Sequence, residues 1–217
     1  MTTDRLFAAL LLVSVPGGLA AQHGTVGVQV VFGDYREVSS DLHYRGSGGG
    51  IAASFTFKKL GIEGSVAGIN YDPVAGSTAS ASFKATQLDV RVRYYITGPV
   101  SAEVGIVNRK AKPEFEAQSV GAVRAGVRMS YPLGPGVNMG LRGGMLFGSK
   151  FSGGGTVSGV GALELGLNMA VDALKGRLRL TGDYDFQRIA RTTGSGPAKA
   201  DVPIQQALAR VGLAVAF

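Results

Sequence analysis

The residues best suited to chemistry in this chain are two histidines, His23 and His43, and three carboxylates, Glu164, Asp183 and Asp185. A histidine held by a carboxylate is the common core of a general base, and His43 stands close after Asp41. Clustered carboxylates can bind a cation, or keep one member protonated for acid-base work. Neither arrangement has its remaining parts. No serine or second acidic pair is fixed beside His43, which is read as a solvated loop histidine, and His23 closely follows the small residues Ala20 and Ala21, where cleavage of a signal peptide is expected. The three acids have arginines to neutralise them, with Arg210 the nearest candidate for Asp185. The glycine-rich RGSGGGI, residues 45 to 51, lacks both a following helix and the Gly-Lys-Ser/Thr ending of a phosphate loop. No catalytic residue, metal site or cofactor is expected, and the chain is not read as an enzyme.

The elements that position these residues follow from composition and pattern. With 45% hydrophobic and 17% charged residues, the chain is not disordered. Glycine reaches 34 of 217 residues, about twice the usual share of roughly 7%, with no collagen-like period. Cysteine is absent, which excludes a disulfide framework or a thiolate metal site. The opening MTTDRLFAALLLVSVPGGLAAQ has an apolar run from Phe7 to Val15, a Pro-Gly-Gly break and small residues suited to cleavage after Ala20 or Ala21. Residues 1–21 are expected to be a secretory signal peptide. Its removal takes away Asp4 and Arg5, so the net charge stays at +7.

No later stretch approaches the length of apolar sequence that a membrane helix needs. The chain alternates with period two instead, in segments near 25–35, 44–57, 60–71, 83–97, 101–110, 118–132, 137–148, 156–172, 178–190 and 204–217. In LDVRVRYYI, Leu88, Val90, Val92, Tyr94 and Ile96 share one face while Asp89, Arg91, Arg93 and Tyr95 share the other. No soluble core would accept the second face. Most of the segments reach the 9 to 11 residues of a tilted transmembrane strand. Residues 22–217 are therefore expected to form an all-β, transmembrane, antiparallel up-and-down β-barrel of ten strands, with eight as the alternative if strand one or the glycine-rich start of strand two is unpaired.

The connections support this topology. KKLG, TGPV, PLGPG and DALKGR are short turns after even strands, while DPVAGSTASAS and TTGSGPAKAD are looser segments after odd ones. Outer-membrane barrels have this asymmetry, with tight periplasmic turns and longer external loops. Two aromatic girdles are expected: Phe55, Phe57, Tyr94, Tyr131 and Phe217 at the periplasmic ends, and Phe32, Tyr71, Phe83, Phe147, Tyr184 and Phe186 toward the outer ends.

The last eight residues, RVGLAVAF, resemble the terminal β-signal of bacterial outer-membrane proteins, with Arg210, Gly212, Val215 and Phe217 filling its positions. The resemblance implies recognition by the barrel-assembly machinery. The mature chain is similar to the small Gram-negative outer-membrane barrels of the OmpA-like, OmpW-like or opacity-protein group, which implies an outer-membrane location. A net charge of +7 suits outer-membrane lipids and lipopolysaccharide, with Arg36, Lys110, Lys112, Lys150, Arg191 and Lys199 near the outer rim. No basic run is interleaved with exposed aromatics, so nucleic acid is not an expected partner. The protein is expected to be a monomer.

The inward faces carry Arg91, Arg93, Arg109, Arg124, Arg128, Arg142, Arg179 and Arg210 against Glu63, Asp89, Glu103, Glu164, Asp183 and Asp185. The glycines Gly126, Gly140, Gly144 and Gly166 share those faces and leave room for long side chains. Pairing of inward residues predicts Arg93 opposite Glu103 and Asp185 opposite Arg210. A lumen filled by such pairs points to a structural or surface-interaction barrel. A narrow, porin-like pore for small solutes or ions is the alternative, and a barrel-mouth hydrolase or lipid A-modifying enzyme comes last.

Overall fold

The computed structural model describes residues 23–112, 115, 119–194 and 196–217. The expected signal peptide, residues 1–21, lies outside the described residues. The strands are β1 (His23–Glu37), β2 (Leu42–Phe57), β3 (Leu60–Pro73), β4 (Phe83–Thr97), β5 (Val100–Lys112), β6 (Val120–Gly134), β7 (Val137–Phe151), β8 (Thr156–Ala173), β9 (Leu178–Thr193), β10 (Ala200–Asp201) and β11 (Ile204–Ala216). Each long strand pairs antiparallel with its neighbours in sequence, and β1 pairs with β11 while β8 pairs with β9. The sheet thereby closes into an up-and-down barrel of ten long strands, leaving β10 as a two-residue addition to the rim of β9. The glycine-rich start of β2 is fully paired with β1, from Glu37↔Leu42 through Gly33↔Gly46 and Val31↔Gly48, so the ten-stranded form is the one adopted.

Closure removes every edge, which a membrane requires because lipid offers no partners to backbone N–H and C=O groups. The polarity is inside-out. Val26, Val28, Val30, Ile62, Val92, Val104, Ile106, Val127, Leu165, Leu180, Val211, Leu213 and Val215 are all exposed on the outer wall, whereas Arg91, Asp89, Glu103, Arg128, Arg142, Glu164 and Asp185 are buried within. Such a wall is apolar toward lipid and polar toward the lumen, as in transmembrane barrels. Among the described residues no helix is long and apolar enough to cross a membrane.

The tight turns carry the left-handed residues that short hairpins need: Lys58 at φ 52°, Gly98 at φ 34° and Gly136 at φ 71°. The connection after β8 is a short 3₁₀ turn, Leu174–Gly176. At the opposite end the contrast is weaker than expected. Strands β1, β2 and β7 run beyond their predicted bounds, so the β1–β2 and β7–β8 connections shrink to residues 38–41 and 152–155. Longer connections remain after β3, β5 and β9.

The aromatic girdles need one correction. Phe32, Phe55, Phe57, Tyr94, Tyr131, Phe147, Tyr184 and Phe217 are exposed on the outer wall. Tyr71 and Phe83 are buried inside the lumen and belong to no girdle. The reason is strand parity: Tyr71 has the parity of Glu63 on β3, and Phe83 that of Asp89 and Arg91 on β4.

Candidate functional site

The lumen holds three successive environments. Nearest the tight turns is a polar vestibule of about 380 Å³, lined by Gln29, Ser54, Ser65, Tyr95, Asn168 and Arg179 among others. Above it lies a layer of charge, and above that an aromatic plug.

The charge layer is built by alternation alone, since every second residue of a strand must face inward. Asp185 on β9 accepts from Arg91 of β4 at 3.1 Å, from Arg210 of β11 at 2.6 Å and from Arg142 of β7. Asp89 pairs with Arg91 and Arg124, each at 3.0 Å. Glu164 accepts from Arg124 at 2.9 Å and from Arg91 at 3.3 Å. Asp183 takes Arg142 at 2.9 Å and Arg210 at 2.6 Å. These contacts join four arginines to four acids, a balanced set with each charge met by at least two of the opposite sign. Beside it a second group joins Glu63 to Arg93 at 2.6 Å and Arg128 at 3.0 Å, and Arg128 to Glu103 at 2.6 Å. The forked guanidinium reaches two carboxylates at once, a task that a lysine performs poorly.

Room for these forks comes from missing side chains. A Cβ on Gly166 would stand 2.7 Å from Cγ and Cζ of Arg142, so this glycine is the floor on which that guanidinium lies.

The predicted pairings are partly redirected. Arg93 does stand opposite Glu103 in the β4–β5 register, yet its guanidinium reaches back to Glu63 on β3, and Glu103 is served by Arg128. Across β9 and β11, Arg210 stands opposite Asp183, and Asp185 stands opposite Leu208. Arg210 still reaches both acids because the side chain is long enough to span two inward positions. Arg179 pairs at 2.6 Å with Asp172, an inward acid that the sequence reading left out. Arg191 is not on the outer rim: it is buried in the lumen over the Phe151 ring, 4.6 Å from its centroid, and 3.9 Å from Glu37.

The plug was missed altogether by sequence reasoning, although parity carried the signal. Tyr71 stacks on Phe83 with ring centroids 4.8 Å apart, and Tyr44 meets Phe83 edge-on at 5.0 Å. Phe115 covers the Phe83 ring at 4.8 Å. Arg109 lies against the plug, 4.5 Å from the Tyr35 ring centroid, and donates to Gln206 at 2.9 Å.

His43 is not paired with Asp41. Its Nε2 stands 3.0 Å from Asp34, while Arg36 donates to Nδ1 at 3.2 Å. A guanidinium only donates, so Nδ1 accepts and the ring proton sits on Nε2, toward Asp34. Both ring nitrogens are thereby engaged, and neither is left to take a proton from a substrate. Glu164, Asp183 and Asp185 are each filled by guanidinium groups, and among the described residues no group of His, Cys, Asp or Glu side chains suits a metal ion.

At the seam, Gly24 and Phe217 exchange backbone hydrogen bonds of 2.8 and 3.0 Å. The Phe217 ring meets Phe55 at 6.0 Å on the lipid-facing side, with Val215 exposed on the same face. Arg210 and Gly212 face the lumen, where Arg210 enters the charge layer.

No protein-family model matches the chain, and no curated protein does. Solved structures do. The β domain of the Bordetella autotransporter BrkA is 10% identical over 89% of this chain and 99% of its own, with a TM-score of 0.51. The outer membrane protease OmpT from Escherichia coli is 6% identical over 94% of this chain and 99% of its own, with a TM-score of 0.50. Neisserial surface protein A is 13% identical over 89% and 97%, with a TM-score of 0.41. The likeness is one of fold: this chain is a closed, membrane-spanning β-barrel of the type that bacterial outer-membrane proteins adopt.

Proposed function

We propose that the protein is a plugged outer-membrane barrel with a structural or surface-interaction role, non-enzymatic and monomeric. The observation that supports this most is the cross-lumen charge layer. Arg91 links β4 to β8 and β9 on the far wall, so the interior is spanned by ion pairs instead of lined by them. A ten-stranded barrel is only a little wider than the eight-stranded kind that side chains can fill, and far narrower than the 16 to 18 strands of open porins. The surface offered to the outside is then the rim and its connections, which a rigid plugged wall holds in place. Outer-membrane lipids and lipopolysaccharide are its surroundings in this reading, and Arg210, Gly212, Val215 and Phe217 form its signal to the assembly machinery.

Single-channel recording after reconstitution tests the proposal. The expected result is no steady conductance. Large, steady currents would refute it and favour the second reading, a narrow pore for small solutes or ions. That reading draws support from the vestibule of about 380 Å³, which leaves only the outer part of the lumen to be opened.

A further inference from the structure

The outer wall carries a strongly basic region at the end away from the tight turns. Lys84 on β4 stands directly opposite Lys112 on β5, and Lys110 stands opposite Thr86. Lys150 on β7 stands opposite Gly121 on β6, which in turn faces Asn108 on β5. All four lysines are exposed, and none makes an ion pair with a described residue. Like charges directly opposite on a sheet destabilise it. The inward arginines solve that problem with carboxylates, whereas these lysines have none among the described residues.

Local geometry adds a second feature. Between Gly121 and Val123 the β6–β7 register slips: Gly121 pairs with Lys150 but Val123 with Phe147, so β7 holds an extra residue there, next to Gly148 at φ 58°. Such bulges re-aim side chains. Strict alternation from Phe147, which faces out, would send Lys150 into the lumen; the bulge sends Lys150 outward and Phe151 inward. Beside it the missing side chain of Gly121 opens a groove of about 470 Å³ on the wall, with Ile106 and Val123 toward the membrane and Lys110 and Lys150 toward the rim. One end is apolar and the other doubly cationic.

We propose that this groove binds a phosphorylated glycolipid of the outer leaflet, with acyl chain against Ile106 and Val123 and phosphate between Lys110 and Lys150. The proposal rests on the outer-membrane reading, which places this end of the barrel outside. A lipid is favoured over free phosphate because the groove continues from the cations down the apolar wall, and basic pockets at the membrane interface hold lipid headgroups in this way.

The test uses the full mature barrel in phosphatidylethanolamine nanodiscs doped with lipid A, with bound lipid read by native mass spectrometry. Wild type should retain phosphorylated lipid A and bind the dephosphorylated form weakly. Lys110→Ala with Lys150→Ala should weaken retention about 25-fold, at about fivefold for each lysine near the surface. Lys58→Ala with Lys59→Ala, at the opposite end, should change nothing. Gly121→Leu should also weaken retention by filling the groove; should that variant not fold, the lysine variants, which lie above the apolar wall, still decide. Equal retention by the Lys110/Lys150 variant, or equal binding of dephosphorylated lipid, overturns the site. Topology is read separately, by labelling Lys150→Cys in an otherwise cysteine-free chain with a membrane-impermeant maleimide on intact cells. Labelling is expected. Its absence beside normal lipid retention overturns the outer-leaflet assignment, and so identifies the topology as the part that failed.

Discussion

Arg91 and Asp185 stand on strands β4 and β9, five places apart in a ring of ten, and still touch at 3.1 Å. Two side chains rooted on opposite walls therefore meet inside the barrel. Asp185 is 1% exposed and also holds Arg142 and Arg210, so it is the hub of the layer.

Asp185→Ala should destabilise the folded barrel by about 3–5 kcal/mol, since it strips a partner from three buried cations. Urea unfolding followed by the gel shift of the folded form measures it. Arg91→Ala in the Asp185→Ala background should cost much less than Arg91→Ala alone. Additive losses would mean that the two residues do not act as one unit.

Arg128 and Arg93 should differ in a way that strand register alone does not suggest. Arg93→Ala leaves Glu63 with Arg128 and leaves Glu103 untouched, so a loss of about 1 kcal/mol is expected for this part-exposed group. Arg128→Ala strands the buried Glu103 and should cost about 3 kcal/mol or more. The same unfolding assay ranks them, and the reverse order would rule out the pairing described.

The plug and the charge layer are two separate layers of the lumen. Phe83→Ala removes the ring on which Tyr44, Tyr71 and Phe115 pack and should cost about 3–5 kcal/mol. It should not by itself produce a steady current, because the ion pairs below are intact. Phe83→Ala with Arg91→Ala is expected to conduct in planar bilayers, and conduction by Phe83→Ala alone would show that the charge layer does not seal.

Phe217→Asp separates anchoring from assembly. Phe217 is 67% exposed and, among the described residues, its ring meets only that of Phe55, so refolded protein should lose only about 0.5–1.5 kcal/mol. Outer-membrane levels in cells should nevertheless fall severalfold, unlike those of Val38→Asp at the outer rim. Normal levels of the Phe217→Asp variant would refute the assembly signal.

Period-two alternation was enough to read the ten long strands, the inside-out polarity and the list of inward charges, because the pleat sends successive side chains to opposite faces whatever the tertiary setting. Even the errors with Tyr71 and Phe83 were departures from that parity, where an expectation about girdles overrode the count. Lys150 and Phe151 differ in kind: a bulge at Gly148 inverts their parity, and a slip of one residue leaves no trace in an alternating pattern. Partner choice also lay beyond the sequence. Arg93 faces Glu103 in register but bonds Glu63, and Arg91 bonds across the lumen, since a guanidinium on a long stem reaches several carboxylates. Which of them it meets depends on where closure of the barrel brings the opposite wall, a distance that only the tertiary structure sets.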